Sequence, residues 1–244
     1  MATNDQKLFQ LISSTSVQTI DDVITVLRGF DDELANDDGL KWFNLLYLKV
    51  TEAVRTQPGA VPWENSQWLE RLDVDFAKLY FAAIGDWHRS RDQIARAWLP
   101  LFAVRSQRGI KRVQFALAGI NAHINNDLPA ALVQTGKAMR IVPKRGTPEF
   151  RDFQKVNSIL EAAQDDAKRY IATGIIGLVD ESLGDLDDSA ANWGVRKARE
   201  TAWSNGEVLW NLNRVPALRD EFLINLDRLV SLASRGLLVS EKTA

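Results

Sequence analysis

A chain of 244 residues, 45% apolar and 25% charged, has the balance of a globular protein, in the range of one large domain or two small ones. Its formal net charge of −2 gives no electrostatic case for nucleic acid or an acidic membrane surface as partner. The lack of cysteine excludes disulfides, zinc-thiolate sites, iron–sulfur clusters and thiol nucleophiles together.

The start, MATNDQKLFQ, has neither the basic n-region nor the apolar h-region of a secretory signal. No apolar stretch approaches the roughly 20 residues of a membrane span. A cytoplasmic protein with no membrane partner is the expectation. The eight tryptophans read as large core side chains rather than a ligand cage. The two histidines, His88 and His123, are too few for a three-histidine zinc site within one chain.

In chain order, helical spacing recurs in nearly every segment and strand alternation is almost absent. Thr19 precedes Ile20, Val23, Ile24, Leu27 and Leu34, a cap followed by an apolar stripe, with Asp22 near the positive end. After Asp37-Asp38-Gly39 the next stripe is Leu40, Phe43, Tyr47, Val50 and Val54. Gln57 to Pro62, rich in proline and glycine, breaks the chain. Ser66 is the expected cap of a third helix carrying Leu69, Leu72, Phe76, Leu79 and Ala83.

Ser90 to Gln93 has capping-box spacing ahead of Ile94, Trp98 and Leu101, with Pro100 expected to kink or end that helix. Gly109 opens the next, with Val113, Leu117, Ile120 and Ile124 on one face. Asp127-Leu128-Pro129 reads as a further start, leading to Leu132 and Met139. Thr147-Pro148-Glu149 is a cap, a first-position proline and a first-turn acid, and its helix carries Phe150, Phe153, Ile159 and Ala163 towards Tyr170. Thr173 to Val179 has no clear assignment. Asp187-Asp188-Ser189 precedes a helix with Trp193, Trp203 and Trp210, and Pro216 starts a last one, ended by Gly236. The expectation is all-α, a single compact bundle of about nine helices over residues 1–244.

The acidic run Asp31 to Asp38 lacks a carboxylate at position 35 and reads as a solvated helix end rather than a magnesium motif. Walker loops, dinucleotide fingerprints, Gly-x-Ser-x-Gly elbows, His-Glu-x-x-His pairs and Glu-x-x-His pairs do not occur. These absences point to chemistry without an organic cofactor.

The informative segment is Ala118 to Pro129. On a helix, His123 and Asp127 share a face, with Gly119 one turn earlier, giving room to a ligand or a close helix. Asn121 and Asn125 form a second polar pair. A carboxylate one turn from an imidazole orients its tautomer, raises its basicity or joins it on a metal. The structural alternative is Asp127 as the cap of the next helix and His123 bonded to a carbonyl in the core. Asp75, in register with Leu72, Phe76 and Leu79, points inward and needs a partner: an arginine, a metal or His123. Tyr47 and Tyr80 add hydroxyls to the same interior, and His88 reads as surface.

Gly39 to Thr51, Leu72 to Phe81 and Ala118 to Pro129 resemble an all-helical family of unknown function found in bacteria, especially actinobacteria, and in fungi. The Asn-Ala-His-Ile-Asn-x-Asp-Leu-Pro string is the specific part. The resemblance implies the fold and brings no activity with it. The leading functional expectation is an enzyme acting on a small, largely apolar molecule by acid–base chemistry, of cyclase, isomerase or lyase type. His123 transfers the proton, Asp127 or Asp75 orients it, and Asn121, Asn125, Tyr47 and Tyr80 hold the substrate. A metal-assisted hydrolase with a divalent cation on His123, Asp127 and Asp75 is the second reading. A non-catalytic ligand-binding or interaction protein is the third. A homo-oligomer is compatible with all three.

Overall fold

Helix α2 (Ile20–Glu33) begins at a capping box: Thr19 Oγ1 accepts from the Asp22 N–H, and the Asp22 carboxylate accepts from the Thr19 N–H. Its stripe of Ile20, Val23, Ile24 and Leu27 is buried, extended by Phe30. The computed structural model describes residues 4–56, 62–173 and 194–240, and every regular element among them is helical. Residues 57–61 of the expected loop, the stretch 174–179, and the start at Asp187 with Trp193 lie outside the described residues, as do the side chains of Ala163 and Tyr170.

In order the elements are α1 (Asn4–Ser14), α2, α3 (Gly39–Thr56), α4 (Ser66–Arg89), α5 (Leu99–Val104) and α6 (Arg112–Ile120). A π-helical segment (Asn121–Asp127) follows, then α7 (Leu128–Met139), α8 (Pro148–Thr173), α9 (Val195–Leu212) and α10 (Pro216–Leu237). The described residues thus hold ten α-helices against about nine expected. The addition is α1, whose one buried residue, Leu8, makes no visible stripe.

Four starts differ from the sequence reading, one of them α6, which begins at Arg112 after Lys111 rather than at Gly109. Asn65, not Ser66, caps α4, its side chain accepting from the Trp68 N–H. Pro100 sits in the first turn of α5 and opens it, because a missing N–H costs nothing among the unpaired donors of a helix start. Ser90 ends α4 instead of capping a helix, its N–H bonded to the Asp86 carbonyl. Thr147 caps α8 as expected, accepting from the Phe150 N–H at 3.3 Å.

Helices α3 and α4 bury broad apolar faces, with Trp42, Phe43, Leu45 and Leu48 on one and Trp68, Leu72, Tyr80 and Phe81 on the other, and occupy the centre. Helix α3 packs on α2, α6 and α8, α4 on α1 and α7, and α9 on α7. One contiguous apolar core runs from Leu8 to Leu238 and includes Trp42, Trp68, Trp98 and Trp203. Two glycines set the approach of α3 and α6. A Cβ on Gly39 would come within 2.3 Å of the Phe115 ring, and one on Gly119 within 2.3 Å of the Phe43 ring. Each helix lends a phenylalanine to the other's glycine. At the entry to α3 the acidic run is not wholly solvated: Asp38 is buried against Arg105, whose Nη1 also reaches Asp5 at 2.9 Å.

Candidate active site

Helix α6 does not end at Ile120 but widens into the π segment, where the Leu128 N–H bonds to the His123 carbonyl five residues back. Such widenings are frequent at functional sites. Asp127 is itself helical in backbone and its side chain makes no cap bond, so the capping role is overturned. The chain runs through Asp127 without the extended turn that a capping residue needs, which frees the carboxylate for other partners.

Those partners form a chain of hydrogen bonds. His123 Nδ1 lies 3.0 Å from Asp127 Oδ2, and that oxygen also accepts from Trp98 Nε1 at 2.9 Å. Asp127 Oδ1 accepts from Asn126 Nδ2 at 2.9 Å. With Nδ1 donating to the carboxylate, the imidazole lone pair resides on Nε2. Nε2 is buried and has no hydrogen-bond partner among the described residues. His123 is 2% exposed and Asp127 5%. Burial lowers the pKa of His123 below the usual imidazole value, while Asp127 pulls it upward.

Aromatic rings fix the imidazole. It stacks on Phe76 with centroids 3.5 Å apart, meets the Tyr47 ring edge-on at 4.7 Å, and lies 5.7 Å from the Phe43 ring. Gly119 therefore reaches the site indirectly, since Phe43 fills the space that a side chain there would take.

His123 is part of the wall of a cavity of about 80 Å³ between α3, α4, the π segment, α8 and α9. The wall is mainly apolar, with Leu72, Phe76 and Leu128 among its residues, and its polar members are Tyr47, Thr51, Asp73, His123 and Arg199. Burial raises the pKa of Asp73 from 3.8 to about 7, against a coulombic pull from Arg199. Burial likewise lowers Arg199 from the usual guanidinium value to about 10, with Asp73 opposing. Burial pushes the Tyr47 hydroxyl well above the usual phenol value, and Asp73 and Asp127 add to this. On its other side Asp127, with Asn126, lines a more open groove of about 350 Å³ beside α10.

The expected site residues thus divide. His123, Asp127 and Tyr47 converge. Asp75 is buried as expected, but Arg71 Nε at 2.8 Å and Thr135 Oγ1 at 2.9 Å satisfy it, and it is not part of the cavity wall. Among the described residues no group of three His, Cys, Asp or Glu side chains could hold a metal ion. Asn121 and Asn125 bond to each other, and Asn121 Nδ2 donates to the Val230 carbonyl and Ser234 Oγ, fastening the segment to α10. Tyr80 lies behind the cavity wall, stacked on Trp98 at 5.3 Å, its hydroxyl buried without a partner among the described residues. His88 is exposed, as expected.

Sequence reasoning missed Asp73 and Arg199. A signal existed for both. Asp73 stands in helical register with Leu69, Phe76 and Tyr80, and Arg199 with Ala202, Trp203 and Gly206.

A family of unknown function, DUF5995, matches the chain over residues 20–240, and the chain belongs to that family. No curated protein and no solved structure matches it. Among the described residues no helix is long and apolar enough to cross a membrane.

Proposed function

We propose that the protein is an enzyme in which the His123–Asp127 pair moves a proton on a small, largely apolar molecule, in an isomerase, lyase or cyclase type of reaction. The observation that carries this is the division of labour on one imidazole. Nδ1 is held by a carboxylate, while Nε2 has no partner among the described residues although His123 belongs to a cavity wall. A buried nitrogen without a hydrogen bond costs about 1–3 kcal/mol, which a purely structural histidine avoids by finding a carbonyl.

In the reading, Nε2 takes a proton from the substrate and the resulting imidazolium is stabilised by Asp127. Trp98 and Asn126 hold that carboxylate in place and donate to its ionised form. The same Nε2 then returns the proton to a second atom of the substrate or to its leaving group. The lowered pKa of His123 keeps it a free base at neutral pH. The groove beside Asp127 offers the pair a side nearer to water. We extend the reading to a cytoplasmic enzyme of small-molecule metabolism working without an organic cofactor.

The test is proton abstraction in D2O from small enolisable ketones and alkenoic acids, followed by proton NMR. Wild-type protein is expected to exchange at least one of them, and His123→Gln to slow that exchange about 10²–10⁴-fold. Exchange at an equal rate in both proteins would remove His123 from the chemistry.

A further inference from the structure

Arg199 is the least explained charge in the molecule. It is 7% exposed and part of the cavity wall. Its Nε donates to Asn157 Oδ1 at 2.8 Å and its Nη2 to the Phe153 carbonyl at 2.9 Å, with Cζ 4.0 Å from the Phe153 ring centre. Both acceptors are neutral. Asp73 acts on the guanidinium through space rather than through a hydrogen bond among the described residues. A cation removed from water is costly unless an anion compensates it, and among the described residues Asp73 does so without a hydrogen bond to it.

We infer that the cavity takes a small carboxylic acid, its carboxylate on Arg199 and its apolar body against Phe43, Leu72, Phe76 and Leu128. This rests on the reading of the cavity as the substrate site, and it names the class of substrate. The guanidinium fork matches a carboxylate in geometry as well as charge, and no described residue accepts a hydrogen bond from Nη1. Asp73 does not compete for the cation in full, since burial holds its carboxyl up to about 7 and it carries a proton readily near neutral pH. In that form it is a donor to the second oxygen of the ligand, and the polar end of the cavity has one positive charge to match. A cavity of about 80 Å³ has room for roughly five to eight heavy atoms, at about 10–15 Å³ for each water-sized probe. An acid anchored at Arg199 leaves its carbon chain in the rest of the cavity, whose wall includes His123.

The probe is 3-methylbutanoate, with 3-methylbutan-1-ol as the uncharged control, titrated into the full chain by calorimetry. The acid is expected to bind about ten- to a hundredfold more tightly than the alcohol, the range of a charge-assisted hydrogen bond. Arg199→Met is expected to abolish that preference and Arg199→Lys to keep part of it, with circular dichroism and Tm confirming that each variant folds. The comparison of acid with alcohol needs no variant, so a poorly folded Arg199→Met leaves the inference testable. Equal binding of the two, no binding of the acid, or acid binding unchanged by Arg199→Met overturns it. An acid that fails to bind while deuterium exchange still depends on His123 overturns the carboxylate site and leaves the proton-transfer reading standing.

Discussion

Replacing Asp73 by asparagine isolates the electrostatics of the cavity. Folding moves the Asp73 carboxyl from 3.8 to about 7, chiefly by burial. Between those values the native state holds a proton that the unfolded chain has released, so stability falls as pH rises through the window. Above 7 the penalty is complete, and the displacement corresponds to at most about 4 kcal/mol. Asparagine has nearly the same shape and no charge to bury. Urea unfolding of wild type and Asp73→Asn, measured from pH 4 to pH 8, should give a difference that grows in favour of the variant with rising pH and levels off just above 7. The contributions of carboxylates that do not interact with Asp73 are common to both proteins and cancel in the difference. A difference that is flat with pH, or that favours wild type at pH 8, would refute the argument that Asp73 is forced to ionise against a mainly apolar cavity wall.

Gly119→Ala drives a Cβ to within 2.3 Å of the Phe43 ring and should cost about 1–3 kcal/mol, several degrees in Tm by calorimetry. An unchanged Tm would mean that α3 and α6 do not approach so closely. Asp38→Ala leaves Arg105 buried with only Asp5 as a charged partner and should lose about 3 kcal/mol in urea unfolding. A loss under about 1 kcal/mol would place that pair in solvent.

How much of this was legible beforehand depended on whether the signal lay within one helix. His123 and Asp127 are four residues apart, so helical spacing alone put them together, and it did the same for Asn121 and Asn125. Thr19 and Thr147 announced their helices because capping is also local. The direction of each polar group was not local. Asp75 has Arg71 one turn earlier on α4, a partner that helical spacing also offered, but only packing brings Thr135 from α7 to the same carboxylate oxygen and leaves His123 to Asp127. Asp73 and Arg199 come from α4 and α9, and only tertiary packing brings them to one cavity. The π segment was hidden for another reason: one added residue per turn barely alters an apolar stripe, yet it makes Asp127 part of a continuous helix rather than its cap.

The exchanged phenylalanines and glycines of α3 and α6 work as a vernier. Gly39 faces Phe115 and Phe43 faces Gly119, so the two helices run in the same direction there with matched spacing. Sliding α6 by one turn, about 5.4 Å, would either set the two rings in the same space or set the two glycines opposite each other over a void. One alignment alone fits. Because Phe43 also borders the imidazole, the contact that aligns the scaffold is the contact that shapes the site. The surroundings of the imidazole cannot be altered at Phe43 without loosening the fit of α3 on α6, and sequence drift in α6 is bounded by a ring on another helix.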